Sequence, residues 1–134
     1  MALQYSDLIR NAQLDQVEVI TGTAPLLTIR TLAPPANCAA ANTGTVLATI
    51  NLPSDWMAVA ASGTKAILGG PWTESSADAA GTAGHFRIHN TAGTVCHLQG
   101  TVGTSGTDMI VDNVVFAVGQ AFSISTFTLT AGNA

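Results

Sequence analysis

The spacing of apolar residues changes period once, close to Gly22. Upstream of it, Leu8, Ile9, Ala12, Val17 and Ile20 make an irregular apolar face at helical spacing. Ser6 is placed to cap that helix, and Asp7 puts a carboxylate in the first turn, where the backbone dipole favours negative charge. Gly22 stands where a glycine can end a helix. The pattern predicts one helix over about residues 6–20. The β-branched run VEVIT, 17–21, could instead draw the last turn into a strand.

Downstream the period falls to two. APLLTIRT predicts a strand at about 26–32, stopped by Pro34-Pro35. APPANCAAANTG, 33–44, is a loop of small residues. TVLATINL, 45–52, is the next strand, ended by Pro53, and Trp56 behind it is a core anchor. TKAILGG, 64–70, gives a short strand, and the aperiodic run 72–84 reads as a long loop. MIV and VVFAV are short strands divided by Asp112-Asn113. In AFSISTFTLT, Phe122 and Ile124 share one parity while Phe127 and Leu129 share the other. One face cannot take both pairs without a bulge near Ser125-Thr126. About seven short strands punctuated by turns predict a mainly β fold, an antiparallel β-sandwich or jelly-roll-like barrel with one N-terminal helix. Residues 1–134 suffice for a single domain, the sandwich covering about 24–130.

The segment GTAGHFRIHNTAGTVCHLQG, 81–100, gathers His85, His89 and His97, with Cys96. Thr91-Ala92-Gly93 suits a three-residue hairpin loop with Gly93 left-handed. Ile88 then faces Cys96, and Phe86 faces Leu98, on one apolar face. His85, Arg87, His89 and His97 share the other, polar face. A two- or four-residue loop would mix the faces. His85 and His89, four residues apart on one strand, are separated by roughly 13 Å and cannot share an ion. Arg87 lies between them, so the register argues against a metal. The polar face is expected to be solvated or pressed on a neighbour.

Composition alters the picture. Apolar residues are 47% and charged residues 9%, against about 25% charged in an ordinary domain. So little charge leaves the surface poorly protected against association, and a chain that works against other subunits is expected, with a monomer solvated by Thr, Ser, Asn and Gln as the alternative. Arg10, Arg30, Lys65 and Arg87 are scattered within a net charge of −4. Nothing converges on a phosphate backbone, so nucleic acid is not an expected partner. No apolar run is long enough to span a membrane, and MALQYSDLIR lacks the apolar centre of a signal peptide. Cytoplasmic production makes Cys38 and Cys96 free thiols, with a bridge between them as the alternative.

Catalytic chemistry finds no footing. Cys96 and His97 are adjacent yet fall on opposite faces, so they are not a nucleophile and base. No G-x-S-x-G elbow occurs. GTSGTD lacks the G-K-[ST] ending of a phosphate loop. Asp108 and Asp112 could attract a cation such as calcium but read better as turn residues. No catalytic residue, metal site or cofactor is assigned.

Four stretches carry a resemblance: ALQYSDLIRNAQLD, PANCAAANTGTVLATINLPSDWM, GTAGHFRIHNTAGTVCHLQG and TFTLTAGNA. Together they cover most of the chain. It resembles a recurrent type of small protein encoded among the virion genes of tailed bacteriophages and prophages. The resemblance implies a virion component. Small β-sandwich proteins rich in Ala, Thr and Gly resemble capsid cement or decoration proteins, which bind the major capsid protein and carry no catalytic residue. It thus implies a non-enzymatic protein of the capsid surface, assembled in the host cytoplasm. A tail, collar or fibre module that binds a receptor is the alternative. The expected contacts are the helix (Tyr5, Leu8, Arg10), the loop with Pro34, Pro35, Asn37 and Asn42, and the end of the chain at Phe127, Leu129 and Asn133.

Overall fold

The computed structural model describes residues 3–132. Helix α1 runs Asp7–Thr21. The Ser6 hydroxyl accepts from the Ile9 N–H at 3.4 Å, and Gly22, at φ 92°, donates its N–H to Glu18 O. VEVIT thus stays helical to its end. Ten strands follow: β1 Leu26–Arg30, β2 Val46–Asn51, β3 Thr64–Ala66, β4 Trp72–Glu74, β5 Gly81–Thr82, β6 His85–His89, β7 Cys96–Gly103, β8 Met109–Val111, β9 Val115–Phe116 and β10 Phe122–Thr130.

The main sheet has the order β2-β1-β6-β7-β8-β10-β3, with β4 also paired to β10, and β5 and β9 form a separate pair. The fold is mainly β with one helix, a curled sheet forming a half-barrel. It is mixed rather than wholly antiparallel, because β7 and β8 run parallel through Val102–Met109 and Gly103–Ile110. The stretch 72–84 is not simply a loop: β4 and β5 lie within it. Its short strands are set by their partners β10 and β9 and leave no periodic trace of their own.

The expected bulge in β10 is present. The register on β8 shifts between Ile124 and Thr126, so Phe122, Ile124 and Phe127 are all buried. Trp56 is fully buried and meets Trp72 at 6.2 Å, which meets Phe127 at 6.0 Å, which in turn meets Phe86 edge-on at 5.2 Å. This aromatic chain runs through the half-barrel. Gly100 makes room for it, since a Cβ there would strike the Phe86 ring and Asp108.

The β6–β7 hairpin departs from the three-residue count. Asn90 N–H donates to Val95 O at 2.9 Å, so the loop is the four residues 91–94, with Gly93 left-handed at φ 73°. His89 then faces Cys96, and Ile88 faces Leu98. The register slips by one residue between these pairs. That bulge restores the parity a four-residue loop would spoil, and returns Leu98 to the side of Ile88 and Phe86. Asn90 makes the longer loop favourable: its Oδ1 accepts from the Thr94 and Val95 N–H groups.

Candidate functional site

Helix α1 sits against β3 with its polarity reversed. Asp15 and Glu18 turn to the sheet, while Asp7 stays exposed beside Arg10. Lys65, on β3, is only 2% exposed. Its Nζ binds Asp15 at 2.8 Å, Glu18 at 3.0 Å and Ala58 O at 2.8 Å. Burial alone would lower the Lys65 pKa, but hydrogen bonds and charge from Glu18 and Asp15 outweigh it and hold the group above its ordinary value. Asp15 is held below the usual carboxylate value, first by the Lys65 hydrogen bond and then by the Ala60 N–H. Glu18 and Asn11 accept from the Met57 and Gly63 N–H groups. Leu14 and Thr21 are the buried residues of this face, and Val17 packs against the core.

The outer face is apolar. At 3.6 residues per turn, Leu8, Ala12 and Val19 fall within about 40° of one another, with Ile9, Gln16 and Ile20 alongside. Leu8 is 82% exposed, Val19 68% and Ile20 64%. The apolar face read from the sequence therefore exists, but Leu8, Ile9, Ala12 and Ile20 point away from the core. The reason lies in partner chemistry. The helix's carboxylates have a buried lysine to satisfy, and an ion pair under the helix leaves its apolar stripe nowhere inside to go.

The stripe continues over the neighbouring surface. A hollow of about 700 Å³ opens between α1 and residues 54–59, lined by Val19, Val59, Leu68 and Met57, with Asp15, Glu18 and Asp55 among its polar residues. Val59 is 83% exposed. On the other flank, His97 and Leu98 meet Gln13, Val17 and Ile20 in a hollow of about 240 Å³. Among the described residues this is the largest run of exposed apolar side chains on one element.

The polar hairpin face has a different fate. His85, Arg87 and His89 do lie together, but all are buried. The chain's own 33–44 loop covers them. Arg87 donates through Nη1 to Ala40 O and Asn42 Oδ1, at 3.1 and 2.6 Å, and through Nη2 to Cys38 O at 2.7 Å and Asn37 O at 3.4 Å. His85 Nδ1 pairs with Leu32 O at 2.9 Å, and Gln99 Nε2 donates to Pro35 O at 2.7 Å. His97, carried on the bulge, leaves this face for the side of α1. Burial, reinforced by the charges of Arg87 and Arg30, lowers the His89 pKa. Among the described residues no three His, Cys, Asp or Glu side chains gather to hold a metal ion.

The residues expected to contact a partner divide accordingly. Tyr5 and Leu8 are exposed. Arg10 is half-buried and ties the end of the chain to the helix, donating to Ala131 O at 3.2 and 3.1 Å and to Asp7 at 2.9 Å. Gly63, at φ 72°, lies beneath its guanidinium, where a Cβ would collide with it. Asn37 and Asn42 are exposed but already serve the Arg87 clamp, and Pro34 and Pro35 are half-buried. Phe127 is 2% exposed and belongs to the core, and Leu129 packs against it. The β10 bulge puts Phe127 inside. Asn133 lies outside the described residues.

Four further carboxylates are engaged in local structure. Asp108 accepts from Thr101 N–H and Oγ1, Asp112 from Ser123 N–H, Glu74 from the Thr49 and Ser76 N–H groups, and Asp78 from Thr49 Oγ1. No family model, no curated protein and no solved structure matches this chain. Among the described residues no helix is long and apolar enough to cross a membrane.

Proposed function

We propose that this chain is a non-enzymatic structural protein of a bacteriophage virion, a capsid cement protein that binds the lattice of the major capsid protein and stabilises the head. The observation that carries the reading is the reversed helix: α1 commits Asp15 and Glu18 to Lys65 and presents Leu8, Val19 and Ile20 outward. Large apolar side chains exposed in a continuous row mark a surface that is covered in use. Each one fully covered contributes about 1.5–3 kcal/mol. Such contacts are modest singly and become strong when a symmetric lattice or a dimer or trimer of this chain repeats them. Carboxylates tied to backbone N–H groups, and a buried histidine cluster, support a structural rather than a catalytic role.

The test is localisation. Purified protein is added to phage particles that lack it, and the particles are imaged by electron cryomicroscopy. Density repeated over the capsid lattice, with α1 against the shell, is the expected result. Density confined to the tail or to one vertex would replace this reading with a tail, collar or fibre module. Wild-type density that persists with Leu8→Ser and Ile20→Ser would leave the virion role intact and remove the helix as the contact.

A further inference from the structure

Cys38 and Cys96 are far apart in the sequence and adjacent in the fold. Cys96 opens β7 opposite His89, on the buried side that the hairpin bulge assigns to it. Cys38 lies in the 33–44 loop, its carbonyl held by Arg87 Nη2 at 2.7 Å. Both line one hollow of about 240 Å³ together with Ala39, Ala41, Arg87 and His89. Both are half-buried free thiols facing this shared hollow, with Cys96 near enough to perturb the ionisation of Cys38. The Cys96 thiol also donates to Leu98 O at 3.2 Å. Burial first, and then the neighbouring Cys96, raises the Cys38 pKa, while the Arg87 charge pulls it down.

The sequence placed Cys96 in the core, facing away from the imidazoles. The four-residue loop and its bulge move it instead to the loop-facing side, and this is what creates the pair. To bond, the two sulfurs must approach to about 2.05 Å. Ala39, Ala40 and Ala41 follow Cys38 with small side chains, so no bulky group has to move as the sulfurs close, while Arg87 keeps its hold on the loop backbone.

We propose that Cys38 and Cys96 form a dithiol site that a small organic disulfide oxidises to an intrachain Cys38–Cys96 bond, locking the 33–44 loop onto the β6–β7 hairpin. One cysteine thiolate attacks the oxidant, forming a mixed disulfide and releasing half of the oxidant as a thiol. The second thiolate attacks the cysteine sulfur of that mixed disulfide, forms the intrachain bond and expels the other half. Two electrons pass from the cysteine pair to the oxidant, and the two thiol protons end on the two released thiols. Held reduced by the cytoplasmic thiol pool, the pair would close in an oxidising medium. This inference stands apart from the capsid role and survives its failure.

The probe is bis(2-hydroxyethyl) disulfide added to the reduced, full-length protein at about pH 8.5, where a useful fraction of thiol ionises. Mass spectrometry is expected to show the loss of two hydrogens, with Cys38 and Cys96 in one cross-linked peptide and the protein monomeric on a non-reducing gel. A bond closing roughly 60 residues should raise Tm by about 10 °C, reversibly with dithiothreitol. By linkage, the bridge should form about a hundredfold more favourably in the folded protein than in urea. Cys38→Ser and Cys96→Ser should each stop at a single mercaptoethanol adduct with no rise in Tm. Adducts on both cysteines of the wild type without a bridge, bridges only between chains, or equal bridging in urea would each overturn the proposal. The wild-type measurement decides the matter even if a variant folds poorly.

Discussion

Replacing Lys65 by Met tests the account of the reversed helix most directly. Lys65 is 2% exposed and holds Asp15, Glu18 and Ala58 O within 3.0 Å or less. Methionine fills a similar volume, so little of the cost comes from a cavity. Removing one member of a buried ion pair costs about 3–5 kcal/mol when the remaining charge is stranded. Here the Asp15 and Glu18 side chains are 39% and 22% exposed, so water can take back part of their charge. The expected loss is therefore reduced, to about 2–3 kcal/mol. Urea unfolding followed by the fluorescence of the buried Trp56 and Trp72 measures it. The pH profile gives a second reading. Asp15 is lowered, so its contribution is present above the unfolded carboxylate value of about 3.9 and is lost as pH falls through its folded pKa. Lys65 is raised, so its contribution is present below about pH 10.4 and is lost as pH rises through its folded pKa. At low pH the wild type keeps a buried ammonium whose partner Asp15 is neutralised, and Lys65→Met does not. The gap between the two proteins should shrink below about pH 4. Asp15→Asn retains an acceptor for Ala60 N–H while removing the charge, so the double-mutant cycle with Lys65→Met isolates the pair. A variant within about 0.5 kcal/mol of wild type, or a gap unchanged from neutral to acid pH, would refute the reasoning.

Three further outcomes are expected. Arg87→Met removes four hydrogen bonds to the 33–44 loop and should cost about 2–4 kcal/mol; hydrogen exchange should show the loss of protection first at residues 37–42. Phe127→Ala should cost about 3–5 kcal/mol because Phe127 contacts both Trp72 and Phe86, whereas Leu8→Ser should stay within about 0.5 kcal/mol of wild type in thermal unfolding and lose particle binding. The His89 ring should titrate in NMR below the ordinary midpoint of about 6.5, and stability should fall as pH drops below that value, since the unfolded chain takes up the proton first.

Local signals were legible where a residue acts through its own backbone or nearest neighbours. Ser6 and Gly22 bound the helix, and Gly93 takes the left-handed position in its turn. The parity clash between Ile124 and Phe127 requires a bulge whatever surrounds it. The hairpin was harder because two irregularities compensate. A four-residue loop and a one-residue bulge leave Phe86, Ile88 and Leu98 on the core side, as a three-residue loop alone would, while Val95, Cys96 and His97 change places. Asn90 held the discriminating signal, since its side chain caps a loop longer than the simplest count. Strands β4 and β5 left no period to read, because two or three residues are too few to show one.

The helix misled for a different reason. Periodicity shows that α1 has two faces, but which face is inside depends on what waits for it. Lys65 decides this from 50 residues away, and no local pattern around Asp15 and Glu18 reveals it. The same logic governs the chain's other cations. Arg10 is drawn in by Ala131 O and Arg87 by the 33–44 loop, so three of the four basic residues fasten the chain to itself. They tie helix to sheet, terminus to helix and loop to hairpin. The exposed charges that remain are carboxylates, Asp7, Asp55, Asp78, Asp108 and Asp112, and Leu8, Val19, Ile20 and Val59 stand exposed beside them. A fold that draws most of its scarce cations inward leaves a sparsely charged surface with little protection against association. The low charge content and the reversed helix are thus one property seen at two levels, and both favour a molecule whose working surface is covered by another.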